Sequence, residues 1–123
     1  MSKVAICMAD GCEEIEGLTV VEVLRRGGME IDMVSISGDP YVTGSHNISF
    51  CADKLISEVN WAEYDGIVLP GGIPGTPNLL GNPEVVDALK LFAAEEKLIA
   101  AICAAPSVLG QVGLLEGKKA TSY

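Results

Sequence analysis

Short apolar runs recur along the chain, separated by longer amphipathic segments. Residues 3–8 (KVAICM), 65–69 (DGIVL) and 98–102 (LIAAI) are such runs, which are typical of parallel strands buried on both faces. Residues 30–36 alternate apolar and polar side chains and predict a further strand. We therefore expect a sheet in which residues 98–102 form the third buried strand.

Two amphipathic segments predict helices. Residues 13–26 repeat apolar side chains at helical spacing, and Gly27 and Gly28 supply a helix stop. Asn82 and Pro83 place a capping residue and a first-turn proline ahead of a second amphipathic helix. The apolar positions of this second helix are Val85, Val86, Leu89 and Phe92.

The order of these elements predicts an α/β fold. Residues 40–50 have the short, β-rich pattern of an edge hairpin, residues 55–59 that of a brief helical turn, and residues 70–75 that of a loop. Alternating strands and helices favour a mainly parallel sheet, covered by helices on both faces, in a single domain over residues 1–123. Active sites of such sheets lie at the carboxyl ends of the strands.

Composition and charge exclude several classes of function. The 123 residues are 49% hydrophobic with a mean hydropathy of +0.36, which is enough to bury one core. The net charge of -9 disfavours binding to nucleic acid. No apolar run approaches the roughly 20 residues of a membrane span, and no signal-peptide pattern opens the chain. We expect a cytoplasmic protein with no nucleic-acid and no membrane partner.

The cysteine pattern argues against a metal site. Cys7, Cys12, Cys51 and Cys103 form no CxxC pair, and His46 is the only histidine, so zinc is poorly supported and we expect no metal. Reduced thiols fit a cytosolic protein. Cys7 is expected in the core, Cys12 in a loop, and Cys51 either near an interface or half-buried on the surface.

Cys103 stands where an apolar run meets the start of a helix, with Pro106 in the first helical turn. Ala101 and Ala105 are small, as a strand-to-helix nucleophile elbow requires of the residues two positions before and after the nucleophile. A helix N-terminus would favour the thiolate. A free cysteine is also often a small core residue, and the elbow pattern by itself leaves both interpretations open.

Three glutamates open the first predicted helix, again after a strand. One of Glu13, Glu14 and Glu16 is expected to face the same crevice as Cys103 and to share one proton with the thiol. First-turn glutamates are also often solvated charges that interact with the helix dipole. For Glu13 and Glu14 this second interpretation stays open.

A glycine-rich loop follows the strand at residues 65–69. Gly71 and Gly72 allow the backbone to approach a ligand, and the N–H groups of Gly72 and Ala104 are candidates to bind an oxyanion. A Gly-Gly pair is also common in simple turns, and the loop lacks the GxxxxGK[ST] pattern of a phosphate site. We expect no cofactor.

Three segments together resemble the DJ-1/ThiJ/PfpI superfamily, closest to its DJ-1/ThiJ-like branch. They are GCEEIEGLTVVEVLRRGGMEI, YDGIVLPGGIPG and LIAAICAAPSVL, and in this order they cover nearly the whole chain. The resemblance implies a flavodoxin-like three-layer sandwich with a mainly parallel sheet. It implies Cys103 as the reactive residue, Glu16 as its acid partner, and an oxyanion site at Gly71, Gly72 and Ala104.

Two departures from the superfamily pattern concern histidine. The protease-like branch has a histidine directly after the cysteine, where this chain has Ala104, so we do not expect a peptidase. The DJ-1 branch places a histidine on the next strand, where this chain has Tyr123. A Cys-His dyad is therefore not expected within the chain, and His46 is expected on the surface of the hairpin.

The resemblance implies a cysteine-dependent enzyme of small reactive aldehydes, similar to glutathione-independent glyoxalases and deglycases. Cys103 would form a hemithioacetal, and Glu16 would act as acid and base. The alternative is a redox sensor or holdase chaperone that works through oxidation of Cys103. The name ThiJ suggests thiamine biosynthesis, but no residue here specifies a thiazole substrate.

Members of the superfamily continue with further strands and at least one helix. The resemblance therefore implies that this chain is the N-terminal two thirds of such a protein and that its sheet is incomplete at the C-terminus. We expect a complementary C-terminal segment bound as a separate chain, since an unpaired apolar strand aggregates readily. We also expect a homodimer through the first helix and the hairpin.

Overall fold

The sheet expected from the apolar runs is present in the computed structural model, which describes residues 2–123. The strands are β1 (Lys3–Met8), β2 (Glu30–Ser35), β3 (Tyr41–Thr43), β4 (Ser49–Cys51), β5 (Lys54–Leu55), β6 (Gly66–Leu69) and β7 (Leu98–Ala101). The helices are α1 (Glu14–Arg26), α2 (Gly75–Leu80), α3 (Pro83–Ala94) and α4 (Pro106–Gln111). Short 3-10 helices cover Ile56–Glu58 and Trp61–Glu63.

Five strands pair in parallel in the order β5-β2-β1-β6-β7, while β3 and β4 form a separate antiparallel hairpin. From β1 the chain first moves outward to β2 and later returns to the other side of β1 as β6. The loops after β1 and β6 therefore diverge at the carboxyl ends of these neighbouring strands, which is where doubly wound sheets bind ligands. The flavodoxin-like α/β fold predicted from the sequence is confirmed.

Side chains of β1 alternate between two apolar cores, one on each face of the sheet. Ala5 and Cys7 belong to the core that α3 and α4 cover, in which Phe92 is fully buried. Val4 and Ile6 belong to the core that α1 covers. Because β1 is buried on both faces, it shows a continuous apolar run rather than an alternating pattern, and the prediction of Cys7 in the core is confirmed.

Both long helices begin where the sequence predicts, within one residue, and α1 also ends there. The Asn82 side chain accepts a hydrogen bond from the Val85 N–H at 3.1 Å and caps α3, with Pro83 in the first turn. The Glu13 side chain accepts from the Ile15 N–H at 3.3 Å and caps α1. At its other end α1 stops before Gly28, which takes a left-handed φ of +81° that glycine adopts easily.

The structure differs from the predicted elements in three details. The β3–β4 hairpin does not join the main sheet. The edge of the main sheet on that side is β5, whose two residues are too few to show a pattern. Gly75–Leu80 is a short helix that no pattern predicted. Strand β7 is the outermost strand of the sheet over residues 2–123, and Leu98 on it is 60% exposed, in keeping with the incomplete sheet expected at this end.

None of the helices in the described range 2–123 is long and apolar enough to cross a membrane.

Candidate active site

Cys103 lies on a sharp turn between β7 and α4. Its φ is +60°, a left-handed value that residues other than glycine rarely adopt. Ala105 is fully buried, and its N–H donates to the Ile102 carbonyl at 3.0 Å, which closes the turn. The strand-to-helix elbow predicted from the sequence is therefore present, with a half-buried Cys103 at its apex.

Gly71 lies between Glu16 and Cys103. Its N–H donates to the Glu16 Oε1 at 3.0 Å. A Cβ on Gly71 would lie 2.7 Å from the Glu16 Oε1 and 2.9 Å from the Cys103 Cβ, so only glycine fits. The ends of β1, β6 and β7 thus bring together the carboxyl group and the thiol that the sequence pairs.

The local environment favours the protonated form of Cys103. Burial raises the pKa of its thiol, and Glu16 raises it further, both as a hydrogen-bond acceptor and as a negative charge. The Ala104 N–H lowers this pKa by a smaller amount. The thiolate expected at a helix N-terminus is therefore not favoured overall, because burial and Glu16 outweigh the Ala104 N–H.

The three residues proposed for the oxyanion site have different roles. The Gly71 N–H is bonded to Glu16 and is not free for an oxyanion. Gly72 has a φ of +98°, and within residues 2–123 no protein oxygen accepts from its N–H. The Ala104 N–H lies beside the Cys103 sulfur. Ala104 therefore supplies a backbone donor at the thiol, and Gly72 has an N–H on the glycine loop that no protein oxygen within residues 2–123 accepts.

The main chain of Tyr123 contacts the main chain of Cys103. The Tyr123 N–H donates to the Cys103 carbonyl at 2.7 Å, so the position at which the resemblance implies a histidine reaches the elbow. The residue itself is 99% exposed. Its ring therefore takes no part in the contacts around the thiol.

Glu14 is not the solvated charge that is common in a first turn, because it is only 4% exposed. Its carboxylate accepts from the His46 N–H at 2.9 Å and the Ile48 N–H at 3.1 Å, and contacts the His46 Nδ1 at 3.1 Å. No local pattern signals this contact, because 32 residues separate Glu14 from His46. The hairpin tip thus covers the first turn of α1.

The contact between Glu14 and His46 shifts the pKa of both side chains. Burial alone would raise the pKa of Glu14, but hydrogen bonds from its own N–H and from His46 and Ile48 lower it below the ordinary value. The hydrogen bond to Glu14 raises the pKa of His46, helped by the charges of Glu13 and Glu14. The His46 side chain is 64% exposed, as expected for a surface residue, yet it is not free.

Ligand atoms of Glu13, Glu14 and His46 lie within 4.8 Å of one another, a spacing that a metal ion could use. The Glu14 oxygens, however, already accept the N–H groups of His46 and Ile48. This cluster is a hydrogen-bonded contact between the hairpin and α1.

Comparisons with known proteins identify the family of this chain and several relatives. The model of the DJ-1/PfpI family matches residues 2–123. Protein DJ-1 homolog A of Arabidopsis thaliana is 41% identical over 98% of this chain and 31% of its own length. Protein dj-1beta of Drosophila melanogaster is 38% identical over 100% of this chain and 66% of its own length. Oxidized DJ-1 of Toxoplasma gondii has a TM-score of 0.96 at 41% identity.

The Toxoplasma match covers 100% of this chain and 67% of that one. The chain therefore spans about a third of the Arabidopsis relative and about two thirds of the other two. Nothing in these comparisons supports the complementary C-terminal segment expected as a separate chain.

The Gly71→Ala variant is predicted to destabilise the protein by about 1–3 kcal/mol, the usual cost of overpacking, because its methyl group meets both Glu16 and Cys103. Urea denaturation measures the loss. Gly110→Ala is the matched control, since its added carbon meets only Leu115 at 3.8 Å. A Gly71→Ala protein as stable as the wild type would show that the space is not tight.

Proposed function

We propose that this chain, which belongs to the DJ-1/PfpI family, is a cysteine-dependent enzyme that acts on small reactive aldehydes. Cys103 is the nucleophile and Glu16 is the acid and base. The observation that supports the proposal is the placement of Glu16 beside a strained, half-buried Cys103, with Gly71 between them. The proposed reaction resembles those of glutathione-independent glyoxalases and deglycases.

The first step joins the thiol to a 2-oxoaldehyde such as methylglyoxal. The Cys103 sulfur bonds to the aldehyde carbon while its proton passes through Glu16 to the former carbonyl oxygen, which gives a hemithioacetal. The pKa of the thiol is raised, so the sulfur arrives protonated and needs a base at contact distance. The N–H groups of Gly72 and Ala104 are the donors for the oxygen as it gains charge.

The later steps move two protons and consume one water. Glu16 removes the proton from the carbon bonded to sulfur and returns it to the neighbouring carbon, while the hydroxyl proton of the hemithioacetal passes to the neighbouring carbonyl oxygen. The hemithioacetal is thereby converted into a thioester of a 2-hydroxy acid. Water then cleaves the thioester, releases the hydroxy acid and restores the Cys103 thiol. Methylglyoxal and water thus become lactate, with no external oxidant or reductant.

Lactate formation from methylglyoxal without glutathione tests the mechanism. Cys103→Ser is expected to abolish turnover, and Glu16→Gln to lower kcat at least about 100-fold, the usual contribution of a general acid and base. Glu22→Gln is the control, because Glu22 lies exposed on α1 and pairs only with Arg26. Wild-type turnover in Cys103→Ser would exclude the proposed nucleophile.

The same pair of residues supports a second function, redox sensing or holdase chaperone activity. Two equivalents of peroxide would oxidise the thiol to a sulfinic acid and release two waters. A protonated Glu16 would then donate a short hydrogen bond to the sulfinate. The Toxoplasma gondii relative was solved in an oxidized form, which favours keeping this candidate.

Intact-mass analysis after mild peroxide treatment tests the redox candidate. Two added oxygens should map to Cys103, because Glu16 can accept the thiol proton and then donate a hydrogen bond to the sulfinate. Cys51 is an internal comparison, since it is exposed without such a neighbour, and Cys7 and Cys12 are buried. Oxidation of Cys51 before Cys103 would exclude a sensor role for Cys103.

We also propose that the protein is a cytoplasmic homodimer. All four cysteines are free, as in a reducing compartment. Ile15 and Val23 on α1 and Ile48 on the hairpin are 74%, 59% and 54% exposed, which is typical of a self-association surface.

Native mass spectrometry at micromolar concentration is expected to show a dimer, and Ile15→Asp to shift it towards monomer. Leu91→Asp is the control, because Leu91 is 42% exposed on α3, away from the proposed contact. A wild-type protein that is entirely monomeric would contradict the proposed dimer.

A further inference from the structure

We propose that the β3–β4 hairpin is a positioning element of the active site, and that Glu14 and His46 are positioning residues that hold it in place. The inference rests on Cys103 and Glu16 as the reactive pair of the proposed function. It assigns a role to two further side chains, neither of which touches the thiol. The role follows from a continuous series of hydrogen bonds that runs from the hairpin to Glu16.

The series begins where the hairpin tip meets α1. Glu14 is buried and receives two main-chain N–H groups of the hairpin, from His46 and Ile48, as well as the His46 ring. Gly44 packs so closely on the Glu14 carboxylate that a Cβ there would overlap it. The tip therefore has one docked position, set by a charged acceptor that burial makes costly to leave unpaired.

The hairpin next binds the loop between β1 and α1. The Gly11 N–H donates to the Thr43 carbonyl at 2.8 Å, and the Thr43 N–H donates to the Asp10 Oδ1 at 3.0 Å. The Ser45 N–H donates to the Cys12 carbonyl at 2.8 Å. Three bonds thus hold three consecutive loop residues against the hairpin, directly before the helix that carries Glu16.

The same loop binds the glycine loop beside Cys103. The Glu13 N–H donates to the Gly71 carbonyl at 2.9 Å, and the Gly75 N–H donates to the Gly11 carbonyl at 3.0 Å. Gly71 in turn donates its N–H to the Glu16 Oε1 at 3.0 Å. A shift of the hairpin therefore reaches both the acid and the loop that separates it from the thiol, where displacements of about 1 Å matter for catalysis.

The side-chain part of this contact depends on pH. The groups that face the His46 ring are Glu13 and Glu14 from α1 and the Ser45 hydroxyl from the hairpin. The Glu14 pKa is lowered and the His46 pKa is raised above 6.5, so between the two values both groups are charged. The ion pair therefore weakens as pH rises through the folded-state pKa of His46, while the main-chain bonds remain.

The test measures alkylation of Cys103 by iodoacetamide as a function of pH, in the full chain carrying Cys51→Ser to remove the exposed thiol. Glu14→Ala and His46→Ala are expected to move the pH midpoint of alkylation and to lower kcat for methylglyoxal at least about tenfold with little change in KM. His46→Gln is expected to restore both, because its amide can donate to Glu14.

Asp32→Asn is the structural control. It weakens the 2.6 Å bond from the Tyr64 hydroxyl to Asp32, a contact outside the series, and should lower Tm without moving the alkylation profile. If Glu14→Ala does not fold, His46→Ala becomes the deciding variant, because His46 is exposed. A His46→Ala protein with the wild-type alkylation profile would overturn the proposal. Alkylation of Cys103 does not require aldehyde turnover. If the protein does not act on aldehydes, the alkylation profile therefore still tests the role of the hairpin.

Discussion

The site depends on one steric constraint, which is that three chain segments meet at Gly71 with no space for a side chain. Glu16 comes from the helix after β1, Gly71 from the loop after β6, and Cys103 from the turn after β7. The parallel pairing of β1 with β6 and of β6 with β7 brings these carboxyl ends to the same edge of the sheet. The Gly71 N–H then fixes the Glu16 carboxylate.

Burial, together with the adjacent carboxylates, outweighs the N–H of the following turn in setting the electrostatics at this meeting point. Burial and Glu16 both hold the proton on the thiol, and Glu13 adds a weaker effect of the same sign. In both proposed functions the thiol passes its proton to the adjacent acid. One pair of residues therefore supports two candidate classes of function.

The three glutamates in the first turn of α1 show how adjacent residues of one type acquire different roles. Glu13 caps the helix, Glu14 anchors the hairpin, and Glu16 faces the thiol. Glu13 and Glu14 both lie beside His46 of the hairpin, whereas Glu16 meets the glycine loop and the elbow. The motif is therefore a junction between the hairpin, the glycine loop and the elbow.

Local pattern was sufficient to predict the strands β1, β2 and β6, the helices α1 and α3, and the elbow at Cys103, because each depends on neighbouring residues. The resemblance added Glu16. Only the tertiary structure decided that Glu14 is buried and that the Cys103 pKa is raised. The first property depends on the hairpin tip and the second on burial beside Glu16. These partners are distant in sequence, and no short window of residues contains them.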